Sequence, residues 1–335
     1  MSDMNDRLSY DRPSHDRRPG QTQEPIPSQG PSSSVATAAI PLQPDESAKV
    51  ETGTRHRAGH RASRTRVGDA PTGALAGDVT QARVMQSEWT KLRSLRSTLW
   101  TMGLAALLLV ILAVPLCISA SGHWNVAEVR DGGQDPVYQS LGGLLLAQVA
   151  VGVLGVLTMT GEYATGMIRA TFGLVPRRLP VLWAKGAVLA AATFLVMLVA
   201  SLVAFFIGQA ILAPHDLNAT LGTDGAARAV LGCAFYLTGV ALLGLLLGAL
   251  IRHTAGAVSA LLGALLGLPL IFSMFEQRLE SAQRYLPALL GNSLASTSPT
   301  RLTDLLTPGR AFLVMCGYLV ALGVAAAFAL VRRDV

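Results

Sequence analysis

Residues able to do chemistry are few in this chain, and their spacing excludes most reactions. There are three lysines, Lys49, Lys91 and Lys185, and none follows a glycine. A phosphate-binding loop needs Gly-Lys followed by Ser or Thr, so that backbone amides and the lysine hold the phosphates. The chain is therefore expected to hydrolyse no ATP itself. The cysteines, Cys117, Cys233 and Cys316, have no metal-ligand spacing and fall inside apolar runs. His123 and His215 have no partner set at ligand spacing. No HExxH, GxSxG or paired-carboxylate arrangement occurs. The expectation is no enzyme, with no catalytic, cofactor-binding or metal residue.

Between two apolar runs lies a long basic connecting segment, Gly161–Lys185, reading GEYATGMIRATFGLVPRRLPVLWAK. Taken as a helix, 162–174 places Tyr163, Met167, Ala170 and Leu174 on one face and Glu162, Thr165 and Arg169 on the other. Pro176 disfavours helical geometry at Val175 and ends it. Arg177 and Arg178 follow, and Lys185 marks the return to apolar sequence. A short two-faced helix can rest on its own bundle and offer its other face to a partner's groove. It can equally lie on lipid headgroups, and periodicity alone does not choose.

The elements that must hold this segment are apolar. The chain has 335 residues, 51% hydrophobic and 14% charged. Six long runs lack charge: 99–120, 141–160, 186–213, 229–251, 255–275 and 311–331. A membrane helix needs about 20 apolar residues, so the expected fold is an all-α integral membrane protein with six spans over residues 81–335. No ionisable group falls deep in a run. Ion-coupled transporters place such groups there. Gln148 and Gln209 are the most polar long side chains at depth. A route through such helices suits amphiphilic or lipid-like cargo better than ions.

Before the first run, Gln81–Thr98 has helical periodicity. Val84, Met85, Trp89, Leu92 and Leu95 share a face, Arg83, Thr90 and Ser94 oppose it, and Glu88 and Arg96 interrupt the apolar stripe. With Lys91 and Arg93 added, it reads as a basic amphipathic helix in the membrane interface, contacting lipid. Residues 1–80 are rich in Pro, Ser and Arg and read as a disordered tail. The arginine-rich 55–66 stretch within it is a solvated tail or an attraction to anionic lipid. No cleavable signal is expected, since 1–80 lacks an apolar core of that kind.

Eleven basic residues fall on the side of the termini and of Gly161–Lys185, against five or six on the other. By the positive-inside rule both termini and this loop face the cytoplasm of a multi-pass plasma-membrane protein. The net charge of +6 thus implies a membrane surface and no nucleic acid. On the outer side, Leu279–Leu290 has amphipathic spacing interrupted by Pro287. Gly244/Gly248 and Gly263/Gly267 form small-residue rows that let helices approach.

The order SEWTKLRSLRS, two spans, then GEYATGMIRATFGLVPRR, with YLPALLGNSLAS before the last span, resembles the permease subunits of ABC-2-type transporters, particularly short actinobacterial-looking members. The resemblance covers about residues 83–335. It implies that Gln81–Thr98, with Met85, Glu88, Trp89, Lys91, Leu92, Arg93 and Arg96, is the connecting helix on the inner leaflet. It implies that 162–172, with Glu162, Tyr163, Thr165, Met167, Arg169 and Phe172, is the coupling helix, with Arg177 and Arg178 beyond it. That helix would dock on a separate ATP-binding subunit, which would hold ATP and magnesium. A second permease copy, identical or not, would complete an exporter. The importer-type EAA…G loop is not matched. The rival reading is a non-transporting scaffold or immunity protein that docks a cytoplasmic partner.

Overall fold

The computed structural model describes residues 81–94, 96–166, 178–275, 282–297 and 305–332. The expected tail, 1–80, and the site residues Met167, Arg169, Phe172 and Arg177 lie outside them. Among the described residues every regular element is helical. They are α1 (Gln81–Ser94), α2 (Arg96–His123), α3 (Val126–Arg130), α4 (Pro136–Ser140), α5 (Leu144–Ala164) and α6 (Arg178–Leu212). Then come α7 (Ala226–Ile251), α8 (Thr254–Leu262), α9 (Leu268–Ser273), α10 (Pro287–Ala295) and α11 (Pro308–Arg332). A π-helical turn, Gly263–Gly267, joins α8 to α9, making a single long rod.

Six of these rods are long and apolar enough to cross a membrane: α2, α5, α6, α7, α8 with α9, and α11. A bilayer core holds no water to hydrogen-bond the backbone, so a spanning segment must satisfy its own amides and carbonyls, and uncharged runs of this length fold as helices. α7 is the central one, 72% of its apolar window being enclosed, against 17% for the α8–α9 rod. It packs along α5, α6, α11 and α10.

The α5–α7 crossing is where glycine is required. A Cβ on Gly155 would stand 1.9 Å from the Ala241 carbonyl oxygen, and one on Gly244 would stand 2.2 Å from that of Gly152. Backbones this close leave no room for any side chain. The Gly244/Gly248 row thus seats α7 on α5. The Gly263/Gly267 row meets nothing within 4 Å, because the rod that carries it lies at the edge of the bundle.

Two boundaries differ from those expected of the sequence. α6 begins at Arg178 and carries Lys185 within it, where the charge suggests a helix start at 186. α5 runs on through Glu162 to Ala164. On the opposite end, the first part of the helix expected across Leu279–Leu290 lies outside the described residues; residues 282–283 are helical, a turn follows, and α10 starts at Pro287 as its first residue, where proline's missing N–H costs nothing. Its Leu290, Gly291, Ser293 and Leu294 are buried, and it tucks against α7, with Gly291 seated on the Tyr236 ring.

Candidate functional site

Lys185 and Glu162 lie near the ends of α6 and α5 that adjoin the 167–177 segment, and α1 lies across them. Lys185 Nζ donates to Glu88 Oε2 at 2.6 Å and to Glu162 Oε1 at 2.8 Å. Lys91 Nζ donates to Glu88 Oε1 at 2.6 Å and reaches Glu162 Oε1 at 3.5 Å. Among the described residues, two acids and two bases thus form a network linking three helices. The Glu88, Lys185 and Glu162 side chains are 4%, 6% and 11% exposed, while Lys91 keeps 30%.

Burying charge is costly, and only close pairing with full hydrogen bonding offsets it. This explains the helix boundaries. Lys185 can enter α6 because two carboxylates meet it there. Lysine suits the position: its compact ammonium can bridge two carboxylates that converge from different helices. Burial alone would push the Glu88 carboxyl up; the Lys185 charge and the hydrogen bonds from Lys185 and Lys91 overcome this and hold it below its ordinary value. Burial would pull the Lys91 ammonium down, but the bond to Glu88 and the Glu162 charge raise it above its ordinary value.

By periodicity Glu88 is a break in an apolar stripe. In the structure it is the most deeply buried described residue of α1 at 3%, and Lys91 and Leu92 one turn later are half-buried beside it. Met85 and Trp89, expected on the apolar stripe with Leu92, are exposed, as are Arg93 and Arg96. Arg96 is the first residue of α2.

The two-faced helix expected over 162–174 is interrupted. α5 ends at Ala164, with Thr165 as its C-cap and its hydroxyl donating to the Gly161 carbonyl. Gly166 follows at φ +68, a left-handed conformation that glycine adopts without strain and that terminates helices. Glu162 therefore belongs to the spanning helix and turns to Lys185 rather than outward. Tyr163 is half-buried against the core, with the Arg252 guanidinium 5.6 Å from its ring centre. Arg252 caps α7 and donates to the Ala329 carbonyl, so this contact ties the ends of α5, α7 and α11. Thr165 is exposed, and Arg178 opens α6.

Beside the network lies a cavity of about 430 Å³ between α1, the first turns of α2 and the last turns of α5. Glu162 and Lys91 border it, with Thr101, Thr158, Leu154 and Leu157. Trp89, Trp100 and Trp183 stand around this end of the bundle with 50%, 79% and 63% exposure. Exposed tryptophans at one level of an apolar bundle mark the headgroup zone of a bilayer.

The deep glutamines serve as ties. Gln148 accepts from the Tyr236 hydroxyl between α5 and α7. Gln209 donates to the Pro136 carbonyl and Ser140 hydroxyl and accepts from the Ala219 amide. Among the described residues no three His, Cys, Asp or Glu converge as metal ligands, and Cys117 and Cys233 are buried thiols.

Fold and network together define a multi-pass helical membrane protein with a charged clamp at one end. The chain matches no family model and no characterised protein sequence.

Proposed function

We propose that this chain is the membrane-spanning permease subunit of an ATP-driven exporter, coupled through the segment between α5 and α6 to a separate ATP-binding subunit. The observation that carries the reading is the clamp. Both helices flanking 167–177 are joined to each other and to α1 by Glu162, Lys185, Glu88 and Lys91. A push on that segment would be delivered to α1, α5 and α6 as one body, because the three share buried ion pairs. α5 in turn is seated on central α7 without intervening side chains, so the displacement would reach the middle of the bundle. In this arrangement Arg169, Arg177 and Arg178 meet the partner, and Glu162 transmits force from within. The clamp faces the cytoplasm of a plasma-membrane protein, α1 lies on the inner leaflet with Met85 and Trp89 in lipid, and a second permease copy completes the cargo path.

The test is purification of the full chain from its native membrane with identification of bound polypeptides. An ATP-binding subunit in equimolar amount is expected, together with its loss on combined Arg169→Ala and Arg177→Ala substitution. Recovery with a partner lacking a phosphate-binding loop would establish the scaffold reading instead.

A further inference from the structure

The α8–α9 rod is held along one half and left free along the other. In α8, Ala257 and Leu261 are buried, and Leu261 fills the space that a side chain on Gly152 of α5 would need. Leu265 in the π turn is buried as well, and α10 rests on that turn. Beyond it α9 has no buried residue, and its main contacts are with the π turn itself. An element with so little packing moves at low cost.

Three causes of helix bending fall between the two halves. Glycine, proline and a π turn each weaken the regular ladder, and 263–269 contains all of them. Pro269 has no N–H to give to the carbonyl of Leu265, four residues earlier. Lipid supplies no donor either, so the backbone widens to π geometry, in which the Leu268 amide donates to the Gly263 carbonyl. At Gly263 and Gly267 no packed neighbour lies within 4 Å of a Cβ position, so no other helix braces them. Pro115 in α2 is the contrast. That helix stays α-helical through the proline, with Leu109 and Ala113 buried before it and Cys117 and Ala120 buried after it. Packing on both sides fixes whatever bend Pro115 imposes.

We propose that the π turn is a hinge about which α9 swings as a flap, in the half of the bilayer opposite the clamp, while α8 stays seated on α5 and α7. The few residues of the turn absorb the change in backbone angles, as hinge residues do. The swing sets how far the bundle opens sideways to lipid at that end. The inference rests on the six helices crossing a bilayer and is independent of the ATP-driven reading.

Paired spin labels on the full chain in lipid nanodiscs read the swing as a spread of distances. The labelled chain is diluted with unlabelled chain so that only pairs within one molecule are seen. Cys316→Ala removes the one thiol that is not buried, and Ala227→Cys at the start of α7 is the fixed reference. Its partner is Ser273→Cys at the end of α9, with Ser259→Cys in α8 and Ser119→Cys beyond Pro115 as controls. All four labelled positions are exposed. A change of about 20° at Leu265 displaces the end of α9 by roughly 4 Å, so the Ser273 distances should be spread about 4 Å more widely than those of either control. Combined Gly263→Ala, Gly267→Ala and Pro269→Ala substitution restores the missing donor and should narrow the Ser273 spread to that of the controls. Pro115→Ala should leave it unchanged. A Ser273 spread no wider than the controls would overturn the proposal by itself, even where the triple variant fails to insert. A spread that persists in an inserted triple variant would overturn it too.

Discussion

At the α1 end of the bundle, charged side chains are satisfied by one another; at the opposite end, polar side chains are satisfied mainly by backbone. Asp135 caps α4 by accepting from the Val137 and Tyr138 amides, and its other oxygen accepts from the Thr297 amide at 2.6 Å. Arg228 donates to the Ser296 and Thr297 carbonyls, and Gln209 bridges Pro136 to Ala219. Such bonds fix loops to helix ends, because a backbone amide or carbonyl has no rotamer by which to leave. Glu88, Lys91, Glu162 and Lys185 each have one. Their pairing can be exchanged without unfolding a loop. The difference separates an end fixed through backbone groups from an end joined by side-chain ion pairs.

The sharpest way to break this contrast is Lys185→Met. It leaves Glu88 and Glu162 facing each other, and loss of one partner from a buried pair costs about 3–5 kcal/mol. The melting temperature of the purified protein should fall, and proteolysis should reach α1 first. Adding Glu88→Gln and Glu162→Gln to Lys185→Met should recover part of the loss, since no charge is then stranded. Full retention of stability in the single variant would show that water or lipid reaches the network and that the clamp is not one.

Gly155→Ala comes next. The new methyl would stand inside contact distance of the Ala241 carbonyl, and overpacking of this kind costs about 1–3 kcal/mol. It should lower thermal stability while leaving both ends intact, as shown by unchanged proteolysis of α1. Coupled release of α1 would instead show that the clamp depends on how closely α5 sits on α7.

At the opposite end, Asp135→Ala removes a cap and should cost about 1–2 kcal/mol. Asp135→Asn should cost less, because its amide oxygen still accepts from Val137 and Tyr138 and only the bond to Thr297 is lost. Hydrogen exchange at Thr297 should rise in both variants. Exchange that rises at α1 as well would join the two ends, which share no polar contact among the described residues.

The six spans are legible in the sequence because a bilayer imposes length and apolarity on consecutive residues, and both are local properties. The Gly244/Gly248 row is legible for a similar reason, its spacing being a property of one helix. The clamp is not. Glu88, Lys91, Glu162 and Lys185 are spread over 97 positions from end to end, and each taken locally has an ordinary meaning: a break in a stripe, a basic flank, a loop charge and a helix boundary. One signal was available. Only three lysines occur in the chain, and the two beyond residue 80 both belong to the clamp. The start of α6 is hidden on the same account, since a charge ends a span only where nothing pairs with it. The break at Gly166 is hidden because glycine's left-handed conformation is a choice made by the fold, and the small residues around it (Ala164, Thr165, Gly166) also suit a helix.

The smallest expected effect is the response to pH, which divides the two partners on α1. Glu88 is held below the ordinary value of 4.5 because Lys185 and Lys91 outweigh its burial. A carboxyl depressed in the fold contributes stability that is complete above its unfolded value and is lost as pH falls through the folded one. Lys91 is raised above 10.5 because Glu88 and Glu162 outweigh its burial. Its contribution is complete below the unfolded value and is lost as pH rises through the folded one. Attachment of α1 should therefore be flat across neutral pH, weaken below 4.5 and weaken again above 10.5. Site-specific proteolysis in α1 across this range measures the effect directly. In Lys185→Met the acid limb should shrink, because the charge that does most to depress Glu88 is gone and its folded value moves up toward the unfolded one. An acid limb of undiminished size in that variant would mean that Lys91 alone holds Glu88 charged, and the clamp would reduce to an ordinary pair within α1.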